Sequence, residues 1–167
     1  DSFVVPGGVA TASAVRQLVA AASDTLSEVP AARWLPYSLR SSQPSIEVRR
    51  RHGGFVRDVH LFDNTAFALS VSEAVAMDPQ QRLALELGYA AFHSRGLSRS
   101  TLSQSLAGVY VGITTLDFNE VLLASPLGGT VYAATGCSHS ISSGRLSYTF
   151  GMQGPCLTID TACSAAL

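Results

Sequence analysis

The chain has 167 residues, 47% hydrophobic and 14% charged, with a formal net charge of −1. That length supports one domain with a real core and is short for two large ones. The near-neutral charge excludes the footprint of a nucleic-acid binder, and no apolar run is long enough to span a membrane. The eleven basic residues are all Arg. Three unevenly placed cysteines do not make a disulfide framework and point to the cytoplasm or another reducing compartment. A mean hydropathy of +0.25 fits segments buried on several sides, as in layered α/β folds. The chain opens on Asp1 and closes at Leu167, one turn into an apolar helix that needs more chain to hold it. The expectation is therefore a segment of a longer protein, cut at both ends.

In chain order, residues 3–8 read as a strand end entering a Pro-Gly-Gly turn. Thr11 or Ser13 caps a helix over 14–22, with Val15, Leu18, Val19 and Ala22 on one face. Glu28 begins a loop, and 35–51, rich in Ser, Pro and Arg, is expected to be exposed. Arg49, Arg50 and Arg51 read as a solvated run. Residues 52–56 suggest a short strand and turn, followed by an apolar plug of Val59, Leu61 and Phe62. A helix starts at Ser70 or Ser72. The next has Asp78 as N-cap and Pro79 in its first turn, packs through Leu83, Leu87, Ala90 and Ala91, and stops at Gly96. Arg82 and Glu86 are an i, i+4 structural pair on it.

Residues 107–113 form a buried strand and 117–124 a short helix. Residues 135–147 are rich in small residues and suit a helix, with Ser142-Ser143-Gly144-Arg145-Leu146 allowing close packing. Residues 150–155 turn the chain into a final strand, 156–159. A polar turn follows and carries Cys163. At the N-terminus of a helix, backbone N–H groups and the helix dipole favour the thiolate, which is the nucleophile. The residues alone leave a packing thiol as the alternative, since buried cysteines are usually inert.

Asp160-Thr161-Ala162-Cys163-Ser164 resembles the active-site signature of β-ketoacyl synthases, the condensing enzymes of polyketide and fatty-acid synthases. Further landmarks stand in that family's order: Pro6-Gly7-Gly8, Glu28-Val29-Pro30 with Arg33-Trp34, His52-Gly53-Gly54-Phe55, and Leu61-Phe62-Asp63. Met77-Asp78-Pro79-Gln80-Gln81-Arg82, Gly108 to Gly112, Ser143 to Tyr148, and Gly154-Pro155 continue the series. The likeness is to the ketosynthase domain of type I polyketide synthases and covers nearly the whole chain. Asn64 to Phe67, and Cys137-Ser138-His139, depart from the family's usual residues.

The resemblance implies an α/β thiolase-like fold, layered αβαβα, with residues 1–167 covering most of its first half as a partial ketosynthase domain. It implies Cys163 as the catalytic residue that carries the acyl chain as a thioester. The chain comes from the phosphopantetheine arm of an acyl carrier protein and condenses with a decarboxylated malonyl-type extender. Implied partners are that carrier, a homodimer mate along 157–159 and other synthase domains. No bound cofactor or metal is expected. The family's two histidines and lysine lie beyond the cysteine motif, so this segment alone is expected not to condense anything.

His139 is the histidine nearest the cysteine motif in sequence, but the matching family position is not catalytic, and it is read as a packing residue. His52 is read as structural or surface, His60 and His93 as surface, and Cys137 and Cys156 as packing thiols. Cys137, His139 and Cys163 match no zinc spacing. Asp160 and Thr161 are expected to shape the turn. Alternatives are a thiolase-like enzyme using acyl-CoA and a non-catalytic ketosynthase-like subunit. The cysteine argues against the second, and a cysteine protease lacks a recognisable His partner.

Overall fold

The computed structural model describes residues 4–31, 33 and 51–165. The chain divides into two compact units, Asp1–Asp58 and Val59–Leu167. Trp34 and most of the expected 35–51 loop lie outside the described residues.

In the first unit, Gly7 and Gly8 take φ of +85° and +75° and close a turn bridged from Val5 to Val9. Helix α1 (Ala12–Ala20) is capped by Thr11, whose side chain accepts from the Ala14 N–H. Its expected apolar face is not buried: Val19 is 69% exposed and Ala22 lies beyond the helix at φ +45°. Strands β1 (Ser27–Glu28) and β2 (His52–Gly53) pair antiparallel. Glu28 is therefore strand rather than loop. At two residues each, these strands carry no period that a sequence reading can detect.

The second unit begins at Val59. Phe62 packs on the core, but Leu61 is exposed. Ser70 caps α2 (Val71–Ala76). Helix α3 (Pro79–His93) starts on Asp78, which accepts from the Gln80 N–H, with Pro79 in the first turn as expected. Its inward stripe is not the expected one. Gln81 and Leu85 are the buried residues, and Phe92 packs on the same core. Gly88 lies between them in that stripe, and a Cβ there would meet Leu146 at 2.7 Å. A short α4 (Arg99–Leu102), closed by a capping box from Ser98 to Thr101, was not foreseen.

Strand β3 (Val109–Gly112) pairs in parallel with β4 (Cys156–Ile159), in the register Val109 to Cys156 and Gly112 to Ile159. Between them run α5 (Asp117–Leu123), a 3-10 turn at Pro126–Gly129, α6 (Ala133–Cys137) and α7 (His139–Phe150). The expected single helix over 135–147 is two, because Ser138 adopts an extended conformation (ψ 126°). Helix α7 ends on Gly151 at φ +71°, the left-handed cap that glycine accepts without strain.

Helix α7 covers one face of the parallel pair. On that side Val109 and Val111 pack on a core of Met77, Leu85, Leu102, Leu146, Phe150 and Met152. The other face is open among the described residues, with Tyr110 61% and Leu157 53% exposed. The 107–113 strand is thus buried on one face only. A second cluster, Ala76, Leu122 and Cys137, joins α2, α5 and α6. Gly136 is required here, because a Cβ would drive into the Ala76 carbonyl. Of the 142–146 run expected to pack closely, Ser142, Ser143 and Leu146 are buried, whereas a Cβ on Gly144 would meet nothing within 4 Å.

Candidate active site

Parallel strands bring their C-terminal ends to one edge, where α/β sheets present ligand sites. Here that edge joins the loop after β3 to the turn after β4, tied by an Ile113 N–H to Ile159 carbonyl bond of 3.1 Å. The turn is built by its own side chains. Asp160 Oδ1 accepts from the Ala162 N–H at 3.1 Å, and the Ser164 hydroxyl donates to the Thr161 carbonyl at 2.8 Å. Ala162 is held at φ +51°, a conformation that costs a residue with a Cβ about 1 kcal/mol or more. Asp160 and Thr161 therefore shape this turn as expected.

Cys163 sits in the 3-10 turn Ala162–Ser164 and is exposed. Its own N–H meets no acceptor among the described residues. The helix expected after Cys163 runs into residues 166 and 167, which lie outside the described residues. The turn packs closely on β3: a Cβ on Gly112 would lie 2.6 Å from the Ala165 carbonyl oxygen.

Beside the turn is a half-open cavity of about 370 Å³ lined by His139, Ser140, Cys156, Leu157, Thr158 and Asp160. Thr158 bolts β4 to α7. Its hydroxyl donates to Ser143 Oγ at 2.8 Å and accepts from the Ser143 N–H at 3.3 Å. His139 Nε2 donates to the Thr115 carbonyl at 3.2 Å, which fixes the ring between the two loops of this edge. A backbone carbonyl offers that nitrogen no help in accepting a substrate proton.

The three cysteines separate by environment. Cys137 is buried, and burial, with the charge of Asp78, pushes its thiol above the ordinary range. It is a packing thiol as expected. Its contribution to stability is complete below the ordinary thiol pKa and declines as pH rises through the raised folded value, because the unfolded thiol ionises first. Cys156, also expected to pack, is instead exposed on β4. His60 and His93 are exposed, and His93 stacks on Tyr89 with centroids 5.7 Å apart. On α3, burial raises the Glu86 pKa and lowers that of Arg82, each partly offset by the other's charge. No group of three or more His, Cys, Asp or Glu among the described residues is arranged to hold a metal ion. No helix among them is long and apolar enough to cross a membrane.

The glutamines after Pro79, a helix start and part of the Met77–Arg82 landmark in the sequence, carry no expected contact with the site. Gln80 donates to the Thr115 carbonyl at 3.0 Å, and Gln81 bonds the carbonyls of Thr135 and Ser138. Both thus reach the loops of this edge. A buried Gln in a helical stripe is the signal that would have found them.

The chain is similar over most of its length to polyketide synthase proteins. It is 44% identical over 165 residues to the spectinabilin polyketide synthase system protein NorC of Streptomyces orinoci, covering 97% of this chain and 7% of that protein. It is 40% identical over 166 residues to the pikromycin polyketide synthase component PikAII of Streptomyces venezuelae, covering 98% and 4%. The chain thus spans less than a tenth of these relatives. Among solved structures, the ketosynthase from module 6 of the bacillaene synthase of Bacillus subtilis 168 superposes with a TM-score of 0.79. It is 30% identical, over 99% of this chain and 26% of that one. The oxazolomycin ketosynthase domain of Streptomyces albus JA3453 gives 0.81 and 28%, over 99% and 30%. The fold is accordingly the N-terminal part of the thiolase-like fold. The family model for the N-terminal domain of β-ketoacyl synthases matches residues 1–167, and the chain belongs to that family.

Proposed function

We propose that this chain is the nucleophile-bearing part of one ketosynthase domain in a polyketide synthase, and that Cys163 carries the acyl chain. The observation that supports this is the turn after β4. It holds an exposed thiol at the C-terminal edge of a parallel pair, beside a backbone N–H with no acceptor among the described residues. The Cys163 thiolate attacks the carbonyl carbon of an acyl thioester borne on the phosphopantetheine of an acyl carrier protein. Negative charge collects on the carbonyl oxygen, where the Cys163 N–H stabilises it. Collapse expels the pantetheine thiolate, which takes up a proton, and leaves the acyl chain on the sulfur.

In the second stage a malonyl-type thioester loses CO₂, and the enolate carbon attacks the Cys163 thioester carbonyl. The Cys163 thiolate departs, leaving a β-ketoacyl chain on the second carrier. Enolate stabilisation needs cationic or N–H partners. His139 is committed to the Thr115 carbonyl and does not supply one. The segment 1–167 is therefore inactive in condensation and works with further residues of its domain, within a homodimer and beside other synthase domains. A reducing compartment keeps Cys163 a thiol.

The test follows CO₂ and β-ketoacyl product from acyl- and malonyl-loaded carrier protein. The whole polypeptide is expected to release both, whereas residues 1–167 alone release neither. A whole polypeptide that loads no acyl chain and forms no product sinks the proposal. Preference for acyl-coenzyme A over the carrier-borne chain would place it with the thiolase-like enzymes instead.

A further inference from the structure

The loops flanking the cysteine turn are held from outside by one polar chain. Glu73 on α2 forms an ion pair with Nη1 of Arg145 on α7. Arg145 Nε donates to Oε1 of Gln81 on α3 at 3.1 Å. Gln81 Nε2 then donates to the Thr135 carbonyl at 3.2 Å and the Ser138 carbonyl at 3.3 Å. Gln81 is 2% exposed, so each amide atom left unpaired would cost its full desolvation. Its amide nitrogen donates to two carbonyls and its amide oxygen accepts from Arg145, an arrangement that works in one orientation only. A guanidinium donates and carbonyls accept, so the amide oxygen must face Arg145 and the amide nitrogen the two carbonyls.

The Thr135 carbonyl belongs to the last turn of α6, where helical geometry leaves carbonyls without internal partners. The Ser138 carbonyl, at the start of α7, accepts from the Ile141 N–H at 3.2 Å as well as from Gln81. The next two residues, His139 and Ser140, line the cavity that runs to Asp160. Gln80 acts in parallel on the other loop through the Thr115 carbonyl, which it shares with His139. The Glu73, Arg145 and Gln81 chain thus joins three helices, α2, α7 and α3, and ends on the wall of the cavity next to the cysteine turn.

Resting on the acyl-loading role of Cys163, we infer that Gln81 is a positioning residue for that step. Anchored on Arg145 and Glu73, it fixes the 135–140 wall against which the acyl chain lies while its carbonyl meets the sulfur. Gln81 touches no reacting atom. Its action goes through the wall, so it controls how well longer acyl chains bind and leaves the intrinsic reactivity of the thiol unchanged.

The variant Gln81→Glu separates the two halves of the side chain. A carboxylate still accepts from Arg145, but it faces the Thr135 and Ser138 carbonyls with no proton to donate. The measurement is made on the whole polypeptide, with acetyl- and hexanoyl-pantetheine thioesters as donors and Cys163 acylation followed by intact mass. Alkylation of Cys163 by iodoacetamide and the thermal midpoint are read in parallel. Gln81→Glu is expected to raise the KM for the hexanoyl donor about tenfold, with acetyl loading and alkylation within about twofold of the parent; tenfold corresponds to about 1.4 kcal/mol. Arg145→Lys, which keeps the charge beside Glu73 but lacks Nε, is expected to shift hexanoyl KM in the same direction by less. Equal losses with both donors and with iodoacetamide, or a collapsed midpoint, would mean a merely structural role and overturn the inference. So would unchanged hexanoyl kinetics. A parent protein that never acylates at Cys163 would instead overturn the functional reading, and this inference with it.

Discussion

Cys163→Ala is expected to abolish acyl loading, lowering the rate by at least about a thousandfold, because no other group can form the covalent intermediate. The fold should survive. Cys163 is exposed and its side chain makes no hydrogen bond among the described residues; the Asp160 carboxylate and Ser164 hydroxyl hold the backbone through other residues. The variant should therefore keep the parent's thermal midpoint while taking up no acyl mass. Loading that persists would pass the role to another nucleophile, and Cys156 on β4 is the exposed thiol to examine.

Gly136→Val is expected to produce the largest loss of stability of any single substitution in the second unit. The Cβ would collide with the Ala76 carbonyl, which is backbone and cannot rotate away. Ala76 is fully buried. The Gly136 carbonyl also accepts from the Asp78 N–H at 2.9 Å, so displacing α6 disturbs the start of α3 as well. Overpacking usually costs about 1–3 kcal/mol, and a backbone neighbour puts this case at the upper end or above. Soluble yield and thermal midpoint of the whole polypeptide should both fall sharply. A midpoint within a degree or two of the parent would show that α2 and α6 can separate without cost.

The parts of this fold that sequence could disclose are those with a local chemical cause. Asp78 before Pro79 announces a helix start by capping chemistry, and the α3 start lies there. Residues 156–159 stand between Gly-Pro and a polar turn, and β4 occupies the same four residues. Long-range contacts were not legible. The inward stripe of α3 was misassigned because Gln81 is polar and its partners Thr135, Ser138 and Arg145 lie 54 to 64 residues away. The split at Ser138 was missed because small residues suit either a helix or its interruption. Cys156 was placed inside by its residue type, whereas its position on β4 leaves it exposed among the described residues.

The candidate site divides in the same way. Asp160 to Ser164 was recognisable as a motif, and its turn is held by contacts two and three residues apart. The wall beside it depends on the α6 to α7 junction and on Gln81, which are far from the motif in sequence and adjoin it only after folding.

The measurement that tests the central claim most directly is peptide mapping of the whole polypeptide after incubation with an acyl-pantetheine thioester. The account predicts a single acyl addition on the peptide that contains Cys163, labile to hydroxylamine as a thioester must be, with Cys137 and Cys156 unmodified. Acylation confined to another residue, or no addition while the protein remains folded, would contradict it.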